Sequence, residues 1–335
     1  MRKEDLRIVF MGTPEFAVPT LQAIIEAGYN VVAVVTQPDK PVGRHGSVLQ
    51  PSAVKQFSLE HGLPVLQPEK MKDPAFVEQL RSYGANLQVV VAFRMLPEVV
   101  WAMPEYGTFN VHAALLPQYR GAAPINWAII NGEQRTGVST FFLDHEIDTG
   151  RVIMQQPFDI PADADVEYVY DGLMQLGANI CLETLDLIIA ADGVPVSIPQ
   201  SELMTAGEVL RSAPKLFKEN CRIDWTKDAE TIRNFVRGLS PVPGAWTMLV
   251  SPDGKETMLK IYKAHVTGCV NAPTGSVSSL GEEHVMLYVY RSMLIIPTGG
   301  NTCLAVDELQ LAGKKRMRVS DFLNGVKEIE KYYVQ

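Results

Sequence analysis

The run Leu87-Gln88-Val89-Val90-Val91-Ala92-Phe93 constrains the fold of this chain more than any other stretch. It is almost continuously apolar where a strand with one wet face would alternate, so it belongs at the centre of a parallel sheet covered on both sides. The segments before it fit that placement. Arg7 to Met11 reads as a short apolar strand, Gly12 as a turn, the stretch to Gly28 as a helix and Val31 to Thr36 as the next strand. Strand, crossover helix, strand is the opening of a parallel α/β sheet. Ser52 to His61 and Pro74 to Tyr83 continue it as helices, with a strand at Leu63 to Leu66 between them. Only Gly12 stands in the first turn, so the GxGxxG spacing of a dinucleotide site is missing and a nicotinamide enzyme is disfavoured.

Open α/β sheets carry their sites outside the carboxyl ends of the strands. That rule puts the loop Arg94 to Pro97, the stretch Asn110 to Pro117 and Asp148 on one rim. In an extended strand Asn110 and His112 point to the same face, because side chains alternate with period two. The amide donates a hydrogen bond without carrying charge, and the imidazole donates one or moves a proton near neutral pH; together they suit a developing oxyanion. Asp148 lies in Asp144-His145-Glu146-Ile147-Asp148-Thr149-Gly150, after the apolar run Val138 to Leu143, where a carboxylate can fix a neighbouring imidazole. Taken singly, each has an ordinary reading: a histidine as a core or surface group, Asp-Thr-Gly as a common turn.

The 335 residues suggest about two domains. Domain boundaries are expected at 1–200 and 215–335, with 201–214 as linker. No apolar stretch approaches the roughly 18 residues of a membrane span, so neither secretion nor membrane insertion is expected, and the location expected is the cytoplasm. Cys181, Cys221, Cys269 and Cys303 are scattered without CxxC spacing and are expected to be reduced, with no metal site. Residues 1–210 hold 13 Lys and Arg against 25 Asp and Glu, a balance of −12, whereas 211–335 hold 17 against 13, a balance of +4. A basic appendage on an acidic domain suits a polyanionic substrate, although ordinary surface variation gives such a figure too.

Gln37 to Pro51 is a long polar loop with Lys40 and Arg44 toward its tip, placed where a compact α/β unit needs only a few residues; it reads either as a functional loop or as a surface insertion. Asp163 to Ala191 reads as one long helix, or two. Beyond the linker the texture changes to short strands between Gly and Pro turns, the pattern of a small β-barrel. Lys314-Lys315-Arg316-Met317-Arg318 is a candidate phosphate-backbone patch or a solvated turn.

Several of these stretches, Val9 to Ala17, Asn110-Val111-His112 with Leu115-Leu116-Pro117, Arg120-Gly121-Ala122-Ala123-Pro124, Asp148-Thr149-Gly150 and Arg222-Ile223-Asp224-Trp225, together resemble the methionyl-tRNA formyltransferase family over nearly the whole chain. The resemblance implies a Rossmann-like open parallel sheet of the formyltransferase fold, followed by an OB-like C-terminal β-barrel. It implies transfer of a formyl group from 10-formyltetrahydrofolate to the α-amine of initiator methionyl-tRNA by a monomer, with Asn110, His112 and Asp148 as the catalytic three. Folate is expected along Ala114, Leu115, Leu116 and Pro117, beside Phe93, Arg94, Met95 and Leu96 and beside Leu143 and Asp144. Lys40 and Arg44, with Lys314, Lys315 and Arg316, are the expected tRNA contacts. Ala114 stands where the family commonly has Ser, Phe93-Arg94 where Tyr-Gly is usual, and His45-Gly46-Ser47 where a more basic run is expected. Two rival readings are a formyltransferase for another amine, such as a sugar nucleotide, and a tRNA-binding protein on a decayed enzyme scaffold.

Overall fold

The structure, a computed structural model, describes residues 1–42, 48–205, 207–269 and 284–335. It divides into two compact units, Met1–Pro124 with Arg135–Asp159 and Tyr170–Ala213, and Ile125–Gln134 with Ile160–Val169 and Pro214–Gln335.

The first unit is built on a seven-stranded sheet. Its order is Val152–Asp159, Arg135–Phe142, Thr108–His112, Leu87–Val91, Arg7–Gly12, Asn30–Val35, Val65–Leu66. All five residues of Leu87–Val91 are buried, as a central strand requires. The five strands from Thr108–His112 onward run parallel. The open parallel sheet is therefore mixed: Arg135–Phe142 runs antiparallel to both its neighbours, Thr108–His112 and Val152–Asp159, and the short connection from it to Val152–Asp159 could not close a parallel pair. The expected helix over 163–191 is a single one, Val166–Ala190. Among the described residues it is the one helix long and apolar enough to cross a membrane by length and composition. It buries Leu173, Ile180, Leu185 and Ile188, and Thr184 pairs its hydroxyl with that of Thr140 on the sheet at 2.8 Å. Within the stretch read as linker, Ser212–Ala213 forms a short parallel pairing with Arg120–Gly121.

The second unit carries an eight-stranded antiparallel sheet that curls into a nearly closed barrel. Helix Ala229–Leu239 supplies Ile232, Val236 and Leu239 to the core, with Trp225, Leu249, Ile261, Leu294 and Leu304. Asp228 caps that helix, its carboxylate accepting from the Thr231 backbone N–H at 2.9 Å and from the Thr231 hydroxyl at 2.7 Å. Trp225 is admitted to the core because its indole N–H finds the Thr247 hydroxyl at 3.0 Å.

The expectation of four reduced cysteines needs correction. Cys181 and Cys221 are buried free thiols, but Cys269 and Cys303 form a disulfide across 34 positions of sequence. Antiparallel pairing of Thr267 with Cys303 brings the two together, and no local spacing in the sequence announces a strand register.

Candidate active site

Strand Thr108–His112 lies between Leu87–Val91 and Arg135–Phe142, with Asn110 opposite Val90 and Phe141 and His112 opposite Ser139. His112 is 6% exposed, and its ring meets the edge of Phe141 with centroids 6.3 Å apart. Its Nε2 is 3.0 Å from the Tyr119 carbonyl oxygen. A carbonyl only accepts, so Nε2 carries the hydrogen and Nδ1 holds the lone pair of the neutral ring. Nδ1 faces Asp148 Oδ2 at 3.9 Å, close enough for charge stabilisation but beyond a hydrogen bond. Ring orientation therefore comes from Tyr119, and Asp148 contributes its charge. At Asn110, Oδ1 is buried without a hydrogen-bond partner among the described residues, an unmet demand of about 1–3 kcal/mol that a bound donor would satisfy.

Asp148 is held in a left-handed conformation with φ 55°. Its carboxylate accepts the Gly121 N–H at 2.9 Å. The turn depends on glycine at both ends of that arrangement. A Cβ at Gly150 would sit 1.6 Å from the Phe142 carbonyl oxygen, and one at Gly121, where φ is 128°, would sit 2.4 Å from that of Ala213.

The expected folate-binding residues divide. Ala114, Leu116 and Pro117 are buried while Leu115 is half-buried. Their backbone groups are already engaged: the Ser139 hydroxyl donates to the Ala114 carbonyl at 2.6 Å and accepts from the Leu116 N–H at 3.0 Å, and the Gln155 amide donates to the Leu116 carbonyl at 2.8 Å. Phe93 is half-buried against the cluster of Val9, Val90 and Leu96, Leu96 is buried and Met95 is 74% exposed. Arg94 turns away to donate to the backbone carbonyls of Pro68 and Glu69, and burial pulls its guanidinium below the ordinary value. Leu143 packs with Leu116, Phe141 and Val152. Asp144 organises its own turn, accepting from the Glu146 N–H at 3.1 Å and the Thr149 hydroxyl at 2.7 Å.

Of the expected tRNA contacts, Lys40 is exposed on a two-stranded hairpin in which it pairs with Gln50. Arg44 lies outside the described residues. Lys314 and Lys315 are exposed, whereas Arg316 is engaged with the Glu308 carboxylate at 2.6 Å and lies 4.6 Å over the Tyr262 ring. Sequence reasoning missed Tyr119, Ser139, Gln155 and Gln200, all of which hold the site in shape. Ser139 and Gln155 sit in ordinary strands and Gln200 at the last position before the expected linker, so no local pattern marks them.

This rim sets an amide and a carboxylate-flanked imidazole at the carboxyl end of a mixed sheet, in a chain that has the family and domain order of the formyl-transfer enzymes. The formyl transferase family model matches residues 6–185, and the model for the formyl transferase C-terminal domain matches 215–327. A methionyl-tRNA formyltransferase of Parabacteroides distasonis is 57% identical over 335 residues, the full length of both chains, and one of Porphyromonas gingivalis is 46% identical over 336, again the whole of each. The chain belongs to the methionyl-tRNA formyltransferase family. Among solved structures, HypX from Aquifex aeolicus in complex with tetrahydrofolic acid superposes with a TM-score of 0.59 at 19% identity, over 95% of this chain and 47% of its own. This chain thus spans about half the length of HypX. The sugar 3N-formyl transferase WlaRD gives 0.59 at 18% identity over 92% of this chain and 99% of its own. Both likenesses speak for the fold alone.

Proposed function

We propose that Asn110, His112 and Asp148 carry formyl transfer from 10-formyltetrahydrofolate to the α-amine of methionine on initiator tRNA, in a monomeric cytoplasmic enzyme. The observation that carries this reading is an Asn110 amide oxygen that is buried with no partner among the described residues, two positions along one strand from an imidazole whose lone pair faces a carboxylate. Those groups fit a folate formyl donor meeting an amine, since acyl transfer to an amine needs hydrogen bonding at the reacting centre and a place for one proton. The donor supplies the formyl carbon; the 93–96 and 114–117 segments with Leu143 and Asp144 would hold it by shape, because the backbone groups of Ala114 and Leu116 are already engaged.

The chain's part in the reaction follows from the geometry. The Asn110 amide accepts a hydrogen from the attacking amine through Oδ1 and offers its N–H to the oxygen where negative charge develops. His112 Nδ1 takes the proton the amine loses and later returns it to N10 of the donor as the bond from N10 to the formyl carbon breaks, releasing tetrahydrofolate. The imidazolium so formed keeps its Nε2 hydrogen bond to Tyr119 and lies beside the Asp148 carboxylate, which offsets the new charge. Held reactants remove much of the entropic barrier, so positioning supplies part of the rate. Lys40, Arg44, Lys314, Lys315 and Arg316 are proposed to meet the tRNA backbone, Arg316 with its charge partly met by Glu308.

The test offers the enzyme 10-formyltetrahydrofolate with charged methionyl-tRNA and, in parallel, a 4-amino sugar nucleotide. Formylation of methionyl-tRNA alone is expected. Formylation of the sugar would overturn the acceptor, and no reaction with either would bring the decayed-scaffold reading forward.

A further inference from the structure

Gln200 opens the short turn Gln200–Glu202, far in sequence from every residue of the site, and is 4% exposed. Its Nε2 donates to the carbonyls of Asp148 at 2.8 Å and Gly150 at 2.9 Å. Its Oε1 accepts from Arg120 Nε at 3.0 Å and Nη2 at 2.6 Å. These contacts use the full capacity of an amide, two donated and two accepted hydrogens. They also fix its orientation, because carbonyls only accept and a guanidinium only donates.

The consequence concerns the His112–Asp148 pair. At 3.9 Å the carboxylate makes no hydrogen bond to Nδ1, so their separation is set by what anchors the turn and not by the pair itself. The anchors are the Gly121 N–H on the carboxylate and the Gln200 amide on the backbone either side of Thr149. Arg120, clamped by the same amide, precedes Gly121, so Gln200 grips both sides of the Asp148 contact. We propose that Gln200 is a positioning residue for formyl transfer: it holds the left-handed Asp148 turn at the distance where the carboxylate offsets charge on His112. This rests on the assignment of His112 and Asp148 to the reaction. A residue at φ 55° relaxes when its surroundings stop enforcing that conformation, and loss of the amide removes that enforcement.

The experiment uses the full chain with Gln200→Met, which removes every hydrogen bond at similar length, and Gln200→Glu, which keeps the acceptor for Arg120 but sets a carboxylate against the two carbonyls. Asp148→Asn is the reference. Steady-state kinetics with both substrates, thermal melting, and the amide-proton chemical shift of Gly121, whose N–H bonds the Asp148 carboxylate, are measured for each. Expected are folded variants whose kcat falls about 10- to 100-fold while KM for either substrate moves less than about twofold. The Gly121 amide signal should move in both, because the carboxylate it bonds recedes with the turn. A folded Gln200→Met with wild-type kcat and Gly121 signal would overturn the proposal. So would a loss of rate accompanied by an unmoved Gly121 signal, or wild-type behaviour of Gln200→Glu, which alone decides if the Met variant fails to fold. Full activity in Asp148→Asn would instead remove the catalytic reading, while the Gly121 signal would still report whether Gln200 sets the turn.

Discussion

The Asp148 rim and the Lys314–Arg316 turn both present charge, yet they are built in opposite ways. Asp148 and His112 are enclosed, and each is anchored through a different atom to backbone, so their charges act at a fixed separation in a poorly screened setting. Lys314 and Lys315 stand in solvent, and Arg316 is the member of the run that structure has tied down, to Glu308 and Tyr262. The charge proposed for chemistry is fixed by hydrogen bonds, whereas the lysine charge proposed for a polyanion is left screened and adaptable. The same number of residues should therefore matter very unequally.

The sharpest way to break this comparison is at the rim. His112→Ala and Asp148→Asn should each lower turnover by about two or more orders of magnitude with tRNA affinity nearly unchanged; single-turnover kinetics beside equilibrium tRNA binding checks it, and an unchanged rate in either variant sinks the assignment. Next is Ser139→Ala, which strips the hydroxyl serving Ala114, Leu116 and Gln155. Leaving buried partners unmet at about 1–3 kcal/mol each, it should lower the urea midpoint and raise the folate KM, and a wild-type midpoint would contradict it. At the basic turn, reversing Lys314 and Lys315 should raise the tRNA KM and reduce its log–log salt slope by about 0.7–0.9 for each phosphate that is no longer neutralised. A slope identical to wild type would leave those lysines merely solvated.

The smallest expected effect lies in the barrel unit. Asp228→Ala removes a helix N-cap and should cost about 1 kcal/mol of stability by chemical denaturation. The Thr231 backbone N–H, then its hydroxyl, holds the Asp228 carboxyl below the usual carboxylate range. A depressed folded pKa means the contribution is present above the unfolded carboxylate value and is lost as pH falls through the lower folded one. The wild type and Asp228→Ala should accordingly converge in melting temperature below about pH 4, and a constant gap down to acid would refute the cap's charge dependence.

Much of this molecule is legible without coordinates. Near-continuous apolarity at Leu87–Val91, interrupted by Gln88 alone, announced a doubly covered strand, and period-two alternation put Asn110 and His112 on one face, because both properties are set by neighbours in the chain. The direction of Arg135–Phe142 and the Cys269–Cys303 pairing were not legible, since they follow from which strand lies beside which. Arg94 shows the same limit at the site: a basic residue on the expected rim loop spends its guanidinium on the carbonyls of Pro68 and Glu69.

By itself, then, the sequence determined the sheet's central strand, the paired amide and imidazole, the later acidic turn and the change to short strands after the middle of the chain, all of them local patterns of polarity and backbone preference. Only the tertiary structure decided that Tyr119 orients the imidazole, that Asp148 stops short of bonding it, and that Gln200 joins Arg120 to the Asp148 turn. Hydrogen bonds between residues 7 to 80 positions apart depend on where folding brings each backbone group, and no spacing along the chain encodes them.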